Sequence, residues 1–137
     1  MTTPYTGGCA CGAIRYEINA EPLIGVECHC SDCRHESGNG HASHLVFPRA
    51  AARIDGTASE WSMTADSGNI KTRAFCPTCG TPVYMIFAAN PAAFSVRAGS
   101  LDEPSRYTPK VVTYTSRALA WDMVDSSLPS FTEMPPR

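Results

Sequence analysis

Cysteine spacing is the feature that most restricts what this chain can fold into. The chain has seven cysteines in 137 residues, and they fall into three clusters. An odd number leaves one thiol unpaired in a framework made only of disulfides. In a reducing compartment, cysteines grouped this closely are more often metal ligands or catalysts, and soft thiolates favour zinc. The three clusters are Cys9 and Cys11; Cys28, Cys30 and Cys33; and Cys76 and Cys79.

The third cluster, CPTCG, is the most specific local motif. Such a turn folds both thiolates toward one point, and Gly80 supplies the positive φ that a residue past the second ligand often needs. A closed zinc site needs four ligands, so two must come from elsewhere in the chain. Cys9 and Cys11 are the expected donors, because residues i and i+2 of an extended segment lie on one side. We therefore predict a four-cysteine zinc site that joins Cys9 and Cys11 to Cys76 and Cys79.

The middle cluster, CHCSDC, supplies three thiols for a second metal and leaves the fourth ligand in question. We expect His29 to point away from the metal, because it lies between two ligands. The other histidines are candidate fourth ligands, although each is also explained as a surface residue or as a hydrogen-bonded core residue. They are His35, His41 and His44.

Charge and hydropathy indicate which partners to expect. The formal net charge is −2, and the 11 Lys and Arg residues are scattered, which gives no footprint for nucleic acid or an anionic membrane. No apolar run approaches the ~20 residues of a membrane span. The amino end lacks the basic and apolar regions of a secretory signal, so we expect a cytoplasmic protein. The sequence leaves the oligomeric state open.

Short segments with β-type patterns alternate with Gly, Pro, Asn, Ser and Asp. In AIRYEI, Ile14, Tyr16 and Ile18 face one way and the charged residues face the other, as in a half-buried strand. We predict a mostly β single domain over residues 1–137, a small sandwich or open barrel with few helical turns, and Trp61 and Trp121 in or at the rim of its core. The predicted strands are 13–18, 43–47, 69–75, 82–87, 94–99 and 110–115; the predicted helical pieces are 32–36, 91–93 and 116–121, the last with Ser116 as N-cap.

Three blocks of the chain resemble the signature blocks of a known family. GGCACGAIRYEI (7–18), CHCSDCRHESG (28–38) and FCPTCGTPVY (75–84) are similar to those of the glutathione-dependent formaldehyde-activating enzyme family, which also includes centromere protein V. FSVRAGSLDEPS (94–105) and AWDMVDSSLPSF (120–131) are similar to its carboxyl-terminal blocks.

The resemblance implies a small, mostly β fold of the Mss4-like type with two zinc ions per chain. It implies a structural zinc held by Cys9, Cys11, Cys76 and Cys79, and a more labile zinc with an open fourth position. Its implied activity is the reversible condensation of formaldehyde with glutathione to S-hydroxymethylglutathione, a carbon–sulfur lyase reaction in reverse. The implied ligands of the labile zinc, and the residues expected to be catalytic, are Cys28, Cys30 and Cys33.

Our main hypothesis is an enzyme that acts on an adduct between a small carbonyl and a thiol such as glutathione. Zinc at the middle cluster would lower the pKa of a thiol or water in its fourth position. Arg34 is expected to balance the site's negative charge or bind a substrate carboxylate. Ser31 and Asp32 are expected to orient the loop, and Asp32 is equally suited to be a helix N-cap.

Two alternatives remain open from the sequence. One is a zinc-stabilised protein-binding module without catalysis, which a fourth ligand such as His41 or His44 would favour. The other is a redox-active or metal-buffering protein that uses the loop from Cys28 to Cys33 as a thiol switch.

Overall fold

The computed structural model describes residues 3–135 as a mostly β fold. They form ten strands, one α-helix and four short 3₁₀ turns. The strands are β1 (Tyr5–Gly8), β2 (Arg15–Ile18), β3 (Ile24–Cys28), β4 (Ala42–Pro48), β5 (Ala52–Asp55), β6 (Ser59–Thr64), β7 (Ile70–Phe75), β8 (Pro82–Phe87), β9 (Ala93–Arg97) and β10 (Val111–Thr113). The helix is α1 (Ser31–Ser37), and the 3₁₀ turns are Arg49–Ala51, Ala98–Ser100, Pro104–Arg106 and Thr115–Arg117.

The strands form two sheets that pack around a common core. One sheet has the order β1-β2-β5, and the other has the order β10-β3-β4-β9-β8-β7-β6. β10 pairs with β3 in parallel, whereas the remaining pairs are antiparallel. Within residues 3–135 neither sheet closes on itself, so the predicted mostly β architecture is confirmed in its open form. The chief core side chains from the two sheets are Tyr5, Tyr16, Ile18, Leu45, Phe47, Val83, Phe94 and Val96.

The alternating pattern of AIRYEI forms β2 as predicted. Tyr16 and Ile18 are buried, whereas Arg15 and Glu17 are only partly covered. Alternate strand residues face opposite sides of a sheet, so this pattern places one face of the small sheet against the core. Tyr16 also forms a 2.7 Å hydrogen bond with the Ser100 hydroxyl, which satisfies its buried polar end.

All six predicted strands are present as β2, β4, β7, β8, β9 and β10; β8 has the predicted bounds and the other five are shifted at one or both ends. Sequence reasoning did not predict β1, β3, β5 or β6. β1 ends in two glycines and β3 contains Gly25, and glycine lowers strand propensity. β6 lies at the edge of the large sheet with mostly exposed residues, so it carries little apolar alternation.

The helical predictions were partly correct. The segment 32–36 lies in α1, but its N-cap is Cys30, whose sulfur accepts a hydrogen bond from the Cys33 amide at 3.3 Å, and not Asp32. The segment 91–93 is a turn that leads into β9, so that prediction was wrong.

At 116–121 the predicted helix is replaced by the single 3₁₀ turn Thr115–Arg117 and irregular chain. Ser116 does not cap it, because its hydroxyl donates to the Thr132 carbonyl at 2.7 Å. Trp61 and Trp121 are 53% and 67% exposed and belong to neither core cluster, so their predicted place in or at the rim of the core was wrong. The Arg73 guanidinium lies over the Trp61 ring, 4.8 Å from its centroid, on the outer strands of the large sheet.

Among residues 3–135, no helix combines the length and the apolar character that crossing a membrane requires.

Candidate metal centres

The first and third cysteine clusters meet in space. The sulfur atoms of Cys9, Cys11, Cys76 and Cys79 all lie within 4.8 Å of one another. Cys11 Sγ is 3.6 Å from both Cys9 Sγ and Cys76 Sγ. Four sulfurs around a tetrahedral zinc, with bonds of about 2.3 Å, lie about 3.8 Å apart. The donor set and its spacing therefore fit a zinc ion.

Two tight turns present these sulfurs. Cys9 and Cys11 lie in a turn after β1, closed by the Gly12 amide donating to the Cys9 carbonyl at 3.2 Å, and not on the extended segment that we expected. Cys76 and Cys79 lie between β7 and β8. There the Gly80 amide donates to the Cys76 carbonyl at 2.9 Å, and the φ of Gly80 is 76°, as predicted.

Hydrogen-bond donors surround the four sulfurs. The Ile14 amide donates to Cys9 Sγ at 3.2 Å, and the Thr78 amide donates to Cys76 Sγ at 3.4 Å. The Thr81 hydroxyl accepts from the Ala10 amide and lies 3.2 Å from Cys79 Sγ, so its own proton is available to that sulfur. Hydrogen bonds from the Thr81 hydroxyl and backbone lower the pKa of Cys79 to about 5. Thr81 thus links the two turns, a role that sequence reasoning missed.

The middle cluster gathers at the end of β3 and the start of α1. The sulfurs of Cys28, Cys30 and Cys33 lie within 4.8 Å of one another, and all three residues are buried. In the part of the chain from 3 to 135, no fourth Cys, His, Asp or Glu donor is as close to all three sulfurs. The protein thus offers three donors here, compared with four at the first centre.

Hydrogen bonds among the three thiols favour ionisation of Cys28 over ionisation of the other two. Hydrogen bonds from the Cys30 and Cys33 thiols lower the pKa of Cys28 to about 3. The same contacts with Cys28 raise the pKa values of Cys30 and Cys33. A cation that binds all three sulfurs removes this competition. Three soft thiolates at this spacing therefore fit zinc.

His44 contacts this cluster through one sulfur. Its Nε2 lies 3.2 Å from Cys33 Sγ, and Arg97 Nη1 lies 2.5 Å from its Nδ1. A guanidinium only donates, so Nδ1 accepts and the proton of the neutral imidazole is on Nε2. Burial, followed by the charges of Arg97 and Lys71, holds the pKa of His44 well below its ordinary value, which keeps the ring neutral. In this arrangement His44 donates a hydrogen bond to Cys33 and does not present a lone pair to a metal.

A buried ion-pair network lies behind His44. The Glu36 carboxylate pairs with Arg97, lies 3.7 Å from Lys71 Nζ and 4.0 Å from Arg73 Nε. Three cations and one carboxylate leave this network at 3 − 1 = +2. The charge of Lys71 also acts to lower the pKa of Cys33. The network therefore supplies the positive charge that three thiolates need.

From the sequence, we expected Arg34 either to supply this compensating charge or to bind a substrate carboxylate. Among the described residues, Arg34 forms no ion pair, whereas Lys71 and Arg97 lie on the core side of the cluster. Sequence reasoning missed Glu36, Lys71 and Arg97 because they lie far apart along the chain. The one available signal was Lys71, a charged residue at an inward position of β7.

Acidic residues lie on the solvent side of the cluster. The carboxylates of Asp32 and Asp66 lie within 4.8 Å of Cys30 Sγ. Asp66 accepts from Arg117 at 2.7 Å and from the Ser31 hydroxyl at 3.3 Å, while its own amide donates to Asp32 at 3.3 Å. Helix α1 and the carboxyl-terminal part of the chain are thereby joined at the rim of the site.

The remaining histidines lie elsewhere. His35 Nδ1 is 2.7 Å from the Ser31 carbonyl on the exposed side of α1. His29 and His41 group with Asp122, away from the sulfurs, so the expected outward orientation of His29 agrees with the structure.

Comparison with known proteins decides the family. The family model described as glutathione-dependent formaldehyde-activating enzyme matches residues 4–117, which include all seven cysteines. The chain belongs to this family.

A solved structure shares the fold of this family member. It is the crystal structure of a Rhodobacter sphaeroides protein from the Northeast Structural Genomics programme. The TM-score is 0.58 at 23% sequence identity, and the match covers 79% of this chain and 99% of the other. At this identity the likeness concerns the fold alone.

In this member of the formaldehyde-activating family, the two sulfur centres thus differ in their protein ligands and in their surroundings. The four-sulfur centre joins distant turns and includes two exposed cysteines, Cys11 and Cys79. The three-sulfur centre is buried, is compact in sequence and adjoins a cationic network.

Proposed function

We propose that this protein is a zinc-dependent enzyme of the carbon–sulfur lyase type. Its substrate is an adduct between a thiol such as glutathione and a small carbonyl such as formaldehyde. The observation that carries the proposal is the three-sulfur cluster of Cys28, Cys30 and Cys33, which gains no fourth protein donor from residues 3–135. Three protein ligands with one position left for water or substrate are typical of catalytic zinc, whereas structural zinc has four. Membership of the family supports glutathione and formaldehyde as the reactants.

Cys28, Cys30 and Cys33 would hold the working zinc, and Cys9, Cys11, Cys76 and Cys79 would hold a structural one. When bound, the working zinc supplies a position in which a thiol is held as a thiolate at neutral pH.

His44, Lys71 and Arg97 maintain the charge of the site. Three thiolates and a Zn²⁺ ion sum to −1, which by itself favours release of an anionic ligand. The hydrogen bond from His44 Nε2 to Cys33 Sγ spreads part of that charge, and the buried network adds positive potential from the other side. These residues therefore help an additional anionic sulfur to remain in the site.

We assign proton transfer to Asp32. In the condensation, the thiol sulfur forms a bond to the carbonyl carbon, the C=O π pair moves to oxygen, and that oxygen takes up the proton that the thiol has lost. A carboxylate oxygen of Asp32 lies within 4.8 Å of Cys30 Sγ, and among residues 3–135 it accepts one hydrogen bond, from the Asp66 amide, so this carboxylate can take the proton and return it. Asp66 is already paired with Arg117, and this rim pair suits the charged ends of a peptide-like thiol.

The test is the rate at which glutathione and formaldehyde exchange with S-hydroxymethylglutathione, measured by ¹³C exchange NMR against the spontaneous rate. We expect acceleration by the zinc-loaded wild type and none by Cys30→Ser. Asp32→Asn should reduce the acceleration by about 10²-fold, the lower range for a general acid–base. Asp55→Asn, at an exposed position of β5, serves as the matched control and should have the wild-type rate. Equal rates in Asp32→Asn and Asp55→Asn would remove Asp32 from the mechanism, and absence of wild-type acceleration would overturn the reaction.

The alternative function, a zinc-stabilised protein-binding module, is favoured by one contact. His44 Nε2 adjoins Cys33, and loss of the Arg97 hydrogen bond to Nδ1 would let the ring proton move from Nε2 to Nδ1, which gives Nε2 a lone pair for the fourth ligand position. Zinc content under mild chelation separates the two functions. The enzyme requires two ions per chain, of which one leaves readily, whereas two equally tenacious ions indicate the binding module.

A further inference from the structure

A second group of metal-ligating side chains lies outside the sulfur centres. The ring nitrogens of His29 and His41 and a carboxylate oxygen of Asp122 lie within 4.8 Å of one another. Asp122 Oδ2 is 2.6 Å from His41 Nδ1 and 3.5 Å from His29 Nδ1. We call this group the His–His–Asp cluster. Its members are the residue after β3, the residue before β4 and a residue of the carboxyl-terminal segment, and they lie too far apart in the sequence to form a recognisable motif.

The His29 side chain gives the first indication of a ligand. His29 is only 2% exposed, and its Nδ1 is buried without a hydrogen-bond partner among the described residues. Leaving a buried polar atom without a partner costs about 1–3 kcal/mol. A cation bound between His29 and Asp122 gives this nitrogen a partner. The contact with Asp122 gives His41 Nδ1 a hydrogen-bond partner, but it does not account for the unpartnered Nδ1 of His29.

The surroundings of His41 give the second indication. His41 Nε2 lies 2.8 Å from Glu27 Oε2, on the opposite side of the ring from Asp122. Glu27 is itself fixed by the Tyr107 hydroxyl at 2.8 Å and by the Ser43 hydroxyl at 2.9 Å. A carboxylate on the far nitrogen of a histidine is the usual support for a metal-ligating imidazole, because it sets the tautomer and raises ligand basicity.

Asp122 has the position and the ionised carboxylate that a metal ligand needs. Burial acts to raise its pKa, but hydrogen bonds from His41 and the Met123 amide outweigh burial, so the pKa lies below its ordinary value. A Cβ at Gly40 would overlap the Asp122 carboxylate, so the glycine makes room for it. A cleft of about 410 Å³, lined in part by His29, His41 and Met123, opens beside the cluster.

We propose that His29, His41 and Asp122 form a third metal site, for a divalent first-row transition metal, with the remaining coordination position facing this cleft. Two histidines and one carboxylate are a donor set that proteins use for catalytic zinc and for non-haem iron(II). Ligands of a tetrahedral ion with bonds of about 2.0–2.1 Å lie about 3.3 Å apart. The 3.5 Å separation of His29 and Asp122 is already close to that value, and the 2.6 Å separation of His41 and Asp122 has to widen. His41 releases its Nδ1 proton to solvent on binding and keeps the proton that faces Glu27. The site does not depend on the proposed lyase reaction.

The experiment is a cobalt(II) titration of the full chain after its cysteine sites have been filled with zinc. Thiolates retain zinc in preference to cobalt, and cobalt at sulfur would reveal itself by a thiolate charge-transfer band. We expect one further equivalent of cobalt with a ligand-field spectrum of nitrogen and oxygen donors and no such band. Asp122→Asn and His41→Gln should abolish it. Glu27→Gln should weaken cobalt binding by about 10- to 100-fold, as for other outer ligand partners.

His35→Gln is the matched control, because His35 is an exposed histidine outside the cluster, and it should retain the extra cobalt. Gly40→Ala tests the same site without replacing a ligand, because the added Cβ would displace the Asp122 carboxylate, and it should also lose cobalt. Zinc content and circular dichroism establish that each variant is folded. A wild type that takes up no cobalt beyond its cysteine sites would overturn the proposal. So would cobalt uptake that survives in both Asp122→Asn and His41→Gln. Neither result would bear on the lyase assay, which depends on the sulfur cluster.

Discussion

At the scale of the residue, the buried charges around Glu36 have the largest energetic consequences. The Glu36 side chain is 3% exposed and depends on Arg97 and Lys71, which are also largely buried. Taking ions out of water is expensive, and only good mutual pairing offsets the cost. These residues therefore form a unit in which removal of one member leaves another uncompensated.

We expect Arg97→Met to lower the free energy of unfolding by about 3–5 kcal/mol, because it leaves the buried Glu36 carboxylate without its closest partner. Arg53→Met is the matched control, since Arg53 pairs with Glu17 at 3.2 Å but its side chain is 71% exposed. That surface pair should contribute no more than about 1 kcal/mol. Urea denaturation in zinc-containing buffer measures both. Similar losses in the two variants would contradict a special role for the network.

At the scale of the element, β1 is fixed to its neighbours by close backbone contact. Gly7 pairs with Tyr16 on one side and forms a bridge to Leu101 on the other. A Cβ at Gly7 would overlap the Ser100 carbonyl and the Tyr16 hydroxyl. The glycine thus permits the approach that brings the Cys9–Cys11 turn beside the Cys76–Cys79 turn.

Gly7→Ala should lower the free energy of unfolding by about 1–3 kcal/mol through overpacking. Gly99→Ala provides the comparison, because no heavy atom lies within 4 Å of a Cβ built there. Its effect should stay within about 0.5 kcal/mol. Thermal and chemical denaturation measure the stability of both variants. If Gly7→Ala is as stable as the wild type, β1 has room to shift and the close contact does not constrain it.

The two sulfur centres make unequal connections between elements. The four-sulfur centre fastens the end of β1 to the β7–β8 turn, 65 residues apart between Cys11 and Cys76. The three-sulfur centre spans only the six residues from Cys28, at the end of β3, to Cys33 in α1, so it connects parts of the chain that are already close in sequence. We therefore expect removal of the first centre to lower the free energy of unfolding more than removal of the second.

Accordingly, Cys76→Ser should destabilise the whole domain, whereas Cys30→Ser should lose one zinc and the proposed activity while the fold remains. Metal analysis and circular dichroism of the purified variants are the measurements. If Cys30→Ser unfolds the protein as severely as Cys76→Ser, the division into structural and working centres is wrong.

At the scale of the whole molecule, the carboxyl-terminal segment adds to the edge of the large sheet. β10 pairs with β3 on one side, and on its other side the Val112 amide donates to the Pro129 carbonyl at 3.0 Å. The Phe131 amide donates back to Val112 at 2.9 Å, and the Tyr114 amide donates to Glu133 at 3.2 Å. The segment lies beyond residue 117, where the family match ends, yet it covers the fully buried Val112.

Deletion of residues 119–137 should therefore lower the free energy of unfolding by about 3 kcal/mol, because several backbone hydrogen bonds worth about 0.5–1.5 kcal/mol each are lost. Deletion of residues 135–137 keeps these bonds and should have little effect. Denaturation curves of the two truncated chains provide the comparison. Equal stabilities would show that the segment contributes nothing to the sheet.

Much of the β framework was predictable because its strands carry a repeating pattern. β2 and β8 alternate buried and partly covered residues, which a sequence window detects. β6 and the turn at 91–93 could not be predicted in this way. β6 is an edge strand with little apolar alternation, and the turn depends on contacts within its loop. Trp61 and Trp121 show the same limit, since side-chain type alone did not reveal that both face outward.

The cysteine groupings and the family could be inferred from the sequence, because residue type and local spacing are properties of short segments. From them follow two groups of cysteines with different numbers of donors and the resemblance that the family match confirmed. Only the tertiary structure decided what surrounds those sulfurs. Lys71 and Arg97 come near the middle cluster because they lie on strands β7 and β9 of the large sheet. Asp122 comes near His29 because the irregular carboxyl-terminal segment folds back past the end of β3. These contacts depend on which side chains are buried and on where each one points. Both are set by packing between distant segments, so a local sequence pattern does not predict them.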